Sequence, residues 1–165
     1  MRHIISILLQ NEAGALSRVA NLFSTRGYNI ESLNVAPSAD DTVSRLTLVT
    51  TGPDNVIEQI TKQLAKLIDV VDIADMTGED HIERELALFK LRARDGSAEK
   101  LKALLGQFDG RLLGEHGDQC TVEIVGGGRD IDLFLKRAAG VAEVITLVRS
   151  GAMAIRRGAP VLRRS

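Results

Sequence analysis

Residues 3–23 have the sequence HIISILLQNEAGALSRVANLF, and this stretch decides the fold. From Ile4 to Leu9 nearly every position is apolar, which is typical of a central strand that is covered on both faces. A helix is predicted from about Gly14 to Arg26, because its apolar residues recur at helical spacing, at Leu16, Val19, Ala20 and Phe23. Gly27 suits the position that ends such a helix.

The segments that follow complete a βαββαβ order. The predicted elements are a strand at about 29–36, a strand at 43–50, a helix that begins at 52–54 and a strand at 70–76. Ile30 is out of phase with Leu33 and Val35, which predicts a β-bulge near Glu31-Ser32. This order is that of a ferredoxin-like split unit, in which the strands usually lie in the order 4-1-3-2.

The same order of elements repeats in the second half. Strands are predicted at about 85–93, 112–113, 120–124 and 141–148, with helices between them around 101–108 and 131–138. We therefore expect an α+β fold with two tandem ferredoxin-like βαββαβ modules, at 1–76 and 84–149, joined by a polar linker at 77–83. Residues 150–165 form a basic tail with no clear period, which we expect to be loosely ordered unless a partner holds it. Its arginines either contact an acidic partner or are solvated.

The turn between the first strand and the first helix has the features of an anion site. The first N–H groups of a helix have no partners within it and lie at the positive end of its dipole. Gly14 places no side chain in the way, and the amides of Asn11 and Asn29 can bind either a carboxylate or an ammonium. Ile30 is one of several aliphatic residues that would line such a site. The matching ligand is an α-amino acid with a short branched side chain.

The second predicted strand, at 29–36, lies at a sheet edge in this strand order. It has several apolar residues and no lysine or proline before Pro37, so the edge is poorly protected. Two-fold pairing with the same strand of a second copy would cover it. In such a homodimer, Asn29 and Ile30 of one chain would come near the turn at 11–16 of the other, and a ligand there would contact both chains.

Composition argues against several classes of protein. The net charge of −1 and the 3% share of aromatic residues do not fit a nucleic-acid surface, and the central strands lack the aromatics of RNA-recognition modules. No apolar run approaches the length of a membrane span. The chain enters a strand directly after Met1, so we expect no signal peptide. The single cysteine, Cys120, fits a reducing compartment, and we expect a cytoplasmic protein.

Other candidate sites are weaker. Gly126-Gly127-Gly128 precedes a helix, but no Lys-Ser/Thr pair follows it, which favours a flexible turn over a phosphate cradle. The three histidines are scattered without metal-ligand spacing, and Cys120 is expected to be a buried, inert thiol. Ferredoxin-like acylphosphatases need an arginine in the first loop, whereas Arg18 lies a full turn into the predicted helix. An enzyme is therefore disfavoured.

Two segments carry a family resemblance. Asn-Glu-Ala-Gly-Ala-Leu-Ser-Arg-Val at 11–19 and Arg-Gly-Tyr-Asn-Ile-Glu-Ser-Leu at 26–33 closely resemble the regulatory (small) subunit of acetohydroxyacid synthase, also called acetolactate synthase. The segments at 81–86 and 149–151 are also similar to this family, so the resemblance spans nearly the whole chain. It implies that the first module is an ACT domain, the ferredoxin-like module that senses amino acids.

The resemblance implies a chain without catalytic residues that binds and activates the large, thiamine-diphosphate-dependent catalytic subunit. It also implies feedback inhibition by valine in branched-chain amino-acid biosynthesis, with leucine or isoleucine open as alternative effectors. We expect no cofactor in this chain, and thiamine diphosphate, Mg²⁺ and FAD on the catalytic subunit. The implied effector contacts are Asn11, Ala13, Gly14, Ala15 and Leu16 from one chain and Asn29 and Ile30 from the other, with Ser17 and Ala36 close by. The alternative is a stand-alone ACT-type amino-acid sensor that regulates a different enzyme.

Overall fold

The computed structural model describes residues 1–158 and 162 and divides the chain into two units. Unit 1 contains Met1–Ile82 and the described residues that follow Gly151, and unit 2 contains Glu83–Gly151. Both units have the βαββαβ order, so the predicted α+β fold of two ferredoxin-like modules is confirmed. None of the helices among the described residues has the length and apolar character that a membrane crossing requires.

Unit 1 is built on a four-stranded antiparallel sheet. Its elements are β1 (Arg2–Gln10), α1 (Ala15–Thr25), β2 (Ile30–Pro37), β3 (Val43–Thr51), α2 (Asp54–Leu64) and β4 (Val70–Asp75). The strands lie in the order β2-β3-β1-β4, which is the predicted order and leaves β2 at one edge. The register of β2 on β3 shifts between Ile30 and Ser32, where the sequence predicts a bulge.

The central strand β1 is buried on both faces, because side chains alternate across a strand. Ile5, Ile7 and Leu9 pack against α1 and α2 in the main core of the unit. Ile4 and Leu8 lie on the opposite face, in two smaller clusters. This burial explains why nearly every residue of the strand is apolar.

Unit 2 has the same topology. Its elements are β5 (His81–Ala93), α3 (Ala98–Gln107), β6 (Arg111–His116), β7 (Gln119–Gly126), α4 (Gly128–Val141) and β8 (Ala142–Arg149), in the strand order β6-β7-β5-β8. Its core contains an aromatic cluster in which Phe134 makes edge-to-face contacts with Phe89, at 4.9 Å between ring centroids, and with Phe108, at 5.4 Å. The expected linker at 77–83 is shorter than the sequence suggests, since β5 already begins at His81.

For residues 150–158, the structure corrects the expectation of a loosely ordered tail. Met153–Arg156 forms a further strand, β9, in unit 1. This strand pairs with β5, the first two residues of which, His81 and Ile82, also belong to unit 1. Ala152 and Ala154 are buried with Ile4 and Val49 on the sheet face away from α1 and α2. Small alanine side chains give no strong hydrophobic period, so the sequence did not indicate this strand.

Two arginines of this segment, Arg156 and Arg157, have acidic neighbours. Arg156 pairs with Glu79 at 2.6 Å and Arg157 with Asp80 at 3.3 Å. The Arg157 N–H also donates to the Asp80 carbonyl oxygen at 2.9 Å. The expectation for Arg163 and Arg164 lies outside the described residues.

Candidate functional site

The segment from Asn11 to Ser17 forms a tight turn that is tied to its surroundings by backbone hydrogen bonds. The Asn11 N–H donates to the Thr42 carbonyl oxygen at 2.9 Å, and the Ala15 N–H donates to the Glu12 carbonyl oxygen at 3.2 Å. Gly14 caps the start of α1 in the left-handed region, with φ of 85°, where only glycine is unstrained. The glycine is therefore required by the turn itself.

The start of α1 presents free backbone donors. The N–H groups of Gly14, Leu16 and Ser17 have no hydrogen-bond partner among the described residues, and Gly14 supplies no side-chain cap. The first turn of the helix contains no acidic residue that would compete for them. These donors and the helix dipole give the turn the capacity to bind a carboxylate. Ala15 does not contribute in this way, since its N–H is bonded and its side chain is buried.

Arg18, which the sequence places a full turn into the helix, reaches back over the turn. Its Nη1 lies 3.0 Å from the position that a Cβ on Gly14 would occupy. Its Nε and Nη2 donate to the two carboxylate oxygens of Asp69, the second at 2.8 Å. The space beside Gly14 is thus filled by a guanidinium, and a second reason for glycine at this position is steric.

Asp69 is the buried member of this ion pair. Its side chain is 4% exposed, whereas that of Arg18 is 48% exposed. The hydrogen bonds from Arg18 lower the pKa of the Asp69 carboxyl, and the same pairing raises the pKa of the guanidinium. The carboxylate therefore stays ionised over the physiological range and offsets the charge that Arg18 brings to the helix start.

Asn11 is exposed and its side chain is only partly committed. Its Nδ2 donates to the Asp41 carbonyl oxygen at 2.9 Å, which joins the turn to the loop between β2 and β3. The Oδ1 atom has no hydrogen-bond partner among the described residues and stays available as an acceptor. The amide therefore has both a structural bond and a free ligand-binding atom.

Asn29 and Ile30 lie at the other end of the sheet from this turn. Ile30 pairs with Thr50 on β3, whereas Gln10, which precedes the turn, pairs with Val43 on the same strand. Seven residues of extended strand separate these two positions on β3, which is about 23 Å at 3.3 Å per residue. Within one chain, the structure does not bring Asn29 and Ile30 to the turn.

The two residues expected to lie near the site differ in position. Ser17 is exposed in the first turn of α1, beside the free N–H groups. Ala36 is in register with Arg45, which is in register with Leu8, so all three side chains project from the face that carries no helix. There Ala36 lines an open cavity of about 540 Å³ with Leu8 and Leu162. Its side chain thus faces away from α1.

The remaining candidates have structural explanations. Asp130 Oδ2 accepts the Gly127 N–H at 3.1 Å, and the ion pair between Glu85 and Arg149 lies beside Gly128, so this donor and this guanidinium are already engaged within the chain. Cys120 is half-buried, and burial raises the pKa of its thiol. Within the described part of the chain, no group of three or more His, Cys, Asp or Glu side chains is arranged to hold a metal ion.

Comparison with known proteins gives matches to both units. A family described as the AHAS small subunit-like ACT domain matches residues 5–72, and one described as the small subunit of acetolactate synthase matches residues 84–158. The isozyme 3 small subunits of acetolactate synthase from Salmonella typhimurium and Escherichia coli are 44% and 43% identical over 163 residues, which is 99% of this chain and all of each relative. A crystal structure of the acetolactate synthase small subunit from Thermotoga maritima matches with a TM-score of 0.85 and 32% identity, over 96% of this chain and 99% of that one.

Proposed function

The chain belongs to the acetolactate synthase small-subunit family, and on that premise we propose that it binds valine at the β1–α1 turn and relays this binding to a catalytic large subunit. In this proposal, binding of the chain without valine raises the activity of the large subunit, and valine reverses that increase. Membership of a small-subunit family implies such a large-subunit partner. The observation that carries the proposal is the set of free N–H groups at Gly14, Leu16 and Ser17 within an ACT-type unit.

The chemistry of the turn supports an α-amino acid as the effector. A carboxylate accepts hydrogen bonds from the free N–H groups, and the Asn11 Oδ1 atom accepts one from the α-ammonium. A short aliphatic side chain would contact Leu16, which is 36% exposed, and Ile30 of a second copy. One methylene changes the binding free energy in such a pocket by about 1–3 kcal/mol, so discrimination among valine, leucine and isoleucine is expected to be partial.

A two-fold dimer through β2 would complete the site. β2 is an edge strand, so the backbone groups on its outer side can continue the sheet into a second copy. Val35 on this strand is 39% exposed, which leaves apolar surface for such a contact. Antiparallel pairing would place the start of one β2 beside the end of the other. Asn29 and Ile30, which are about 23 Å from the turn in their own chain, would then approach the turn of the partner.

Regulation in this scheme is a linkage between two binding events. Valine would favour one arrangement of the small-subunit dimer, and the large subunit would favour the other. A coupling free energy of about 1–3 kcal/mol corresponds to a 5–150-fold change in affinity. By reciprocity, binding of the large subunit would weaken valine binding by the same factor.

Complementation between two defective variants tests the shared site. Asn11→Ala and Asn29→Ala homodimers should each bind valine weakly in a calorimetric titration. When equal amounts are mixed and allowed to exchange subunits, half of the dimers are mixed, and each mixed dimer contains one site with both asparagines and one site with neither. About a quarter of all sites should then bind with wild-type affinity.

The control is a mixture in which both partners carry Asn11→Ala, which should regain no sites. A site formed within one chain would regain none in the first mixture either, and that result would refute the shared site. If the wild-type chain bound no valine, leucine or isoleucine at millimolar concentration, effector binding itself would be refuted.

A further inference from the structure

We propose that Arg18 is a positioning residue of the effector site: clamped by Asp69, its guanidinium holds the β1–α1 turn in the conformation that presents the free N–H groups. The inference rests on the proposed function, because it assigns a role within that same site. It is carried by the geometry of one side chain that links three segments of unit 1.

The three guanidinium nitrogens divide between Asp69 and Gly14, with hydrogen bonds to Asp69 from two of them. Nε and Nη2 bind the two carboxylate oxygens of Asp69, and Nη1 lies against the Cα side of Gly14. A planar fork with this geometry fixes the orientation of the group, which a single ammonium would not do. The Arg18 backbone N–H also donates to the Gly14 carbonyl oxygen at 3.1 Å, which holds the cap to α1 by a bond that does not involve the guanidinium.

The Arg18–Asp69 ion pair is called the clamp below, and Asp69 connects it to the sheet. The carboxylate is buried, and the Asp69 carbonyl oxygen accepts the Gln10 N–H at 2.8 Å. Asp69 directly precedes β4, so one residue joins the end of β1, the start of α1 and the start of β4. Both boundaries of the turn are therefore tied to Asp69, the end of β1 through its backbone carbonyl and the start of α1 through its carboxylate.

The clamp approaches the turn from the side away from the proposed dimer. β4 is the edge strand opposite to β2 in the sheet. The second copy would supply Asn29 and Ile30 from the β2 side, and Asp69 holds the guanidinium on the β4 side. Arg18 thus acts through the turn and not by contact with the effector.

Simple attraction of the effector's carboxylate is a poorer explanation. A cation at a helix N-terminus opposes the helix dipole, and the Asp69 carboxylate bound to it offsets its charge. If Arg18 served only as a positive charge, a partner as close as Asp69 would work against it. The arrangement fits a side chain whose value lies in its fixed position.

Valine binding to a set of variants of the full chain distinguishes the two roles. Arg18→Gln and Asp69→Asn should each weaken valine binding by about fivefold or more, and the double variant should lose little beyond either single one. Arg18→Lys keeps the charge but not the fork, and it should bind nearly as weakly as Arg18→Gln. Lys66→Gln removes a positive charge from the loop that carries Asp69 and should stay within about twofold of the wild type.

Amide hydrogen exchange without any effector gives a second readout. The protected N–H groups of Ala15 and Arg18 should exchange faster in Asp69→Asn than in Lys66→Gln, because the clamp no longer holds the turn. This readout stays decisive if the wild-type chain binds no valine, and it separates failure of the clamp from failure of the effector site.

Two results would overturn the inference. Wild-type exchange rates in both Arg18→Gln and Asp69→Asn would show that the turn does not depend on the clamp. Full valine affinity in Asp69→Asn and Arg18→Lys, with loss only in Arg18→Gln, would show that Arg18 acts by its charge. If Arg18→Gln fails to fold, Arg18→Lys and Asp69→Asn still decide between the two roles.

Discussion

Gly14→Ala tests whether a glycine at the start of α1 is required by backbone conformation, by the Arg18 guanidinium, or by both. At φ of 85°, an alanine costs about 1–2 kcal/mol for the left-handed conformation. Its Cβ would also lie 3.0 Å from Arg18 Nη1, a group that Asp69 prevents from moving freely. Gly27→Ala is a matched control in the same unit, since Gly27 has φ of 73° and nothing within 4 Å of its Cβ position.

We expect Gly27→Ala to lower the free energy of unfolding by about 1–2 kcal/mol, and Gly14→Ala to lower it by about 1 kcal/mol more. In an Arg18→Gln background the excess should disappear. The chain has one tyrosine and no tryptophan, and Tyr28 packs against the core of unit 1, so tyrosine fluorescence during urea unfolding reports that unit. Equal losses for Gly14→Ala and Gly27→Ala would refute the steric part of the argument.

Three further predictions address the dimer, the clamp and unit 2. Val35→Lys on the exposed edge of β2 should give a monomer in light scattering, whereas Ile68→Lys, at a residue that is 85% exposed and lies outside β2, should stay dimeric. The Arg18 pairing lowers the pKa of Asp69, so its stabilisation is complete above the unfolded-state pKa of about 3.9 and is lost as the pH falls through the lower folded-state pKa. The stability difference between the wild type and Asp69→Asn, measured by tyrosine fluorescence, should therefore shrink as the pH drops below about 4. Arg149→Met leaves the buried Glu85 carboxylate without its two hydrogen bonds from Arg149. The free energy of unfolding of unit 2, followed by circular dichroism, should fall by about 2–3 kcal/mol. Adding Glu85→Gln to this variant should restore most of the loss.

The fold follows from patterns that the sequence makes visible. The continuous apolar run in β1, the helical spacing in α1 and the phase error at Ile30 all come from local periodicity, and the structure confirms the strand order and the bulge that they predict. β9 leaves little local signal because its one buried residue, Ala154, has a small side chain, and because its contacts with Ile4 and Val49 join segments more than 100 residues apart. Such long-range burial leaves no local period.

The turn was predicted from its glycine and asparagine, but the role of Arg18 was not. Its partner, Asp69, is 51 residues away, and no local spacing connects them. A signal did exist, since an arginine in the first turns of a helix opposes the helix dipole and calls for a nearby carboxylate. The resemblance to small subunits pointed to Asn29 and Ile30 as well, yet in one chain they lie at the far end of the sheet.

Acetolactate formation by the cognate large subunit is the measurement that tests the central claim most directly. The assay supplies thiamine diphosphate, Mg²⁺ and FAD and compares the large subunit alone, with this chain, and with this chain plus millimolar valine. The account predicts that the chain raises the rate and that valine removes the increase, while Asn29→Ala keeps the stimulation and loses the valine effect. A rate that neither the chain nor valine changes would contradict it.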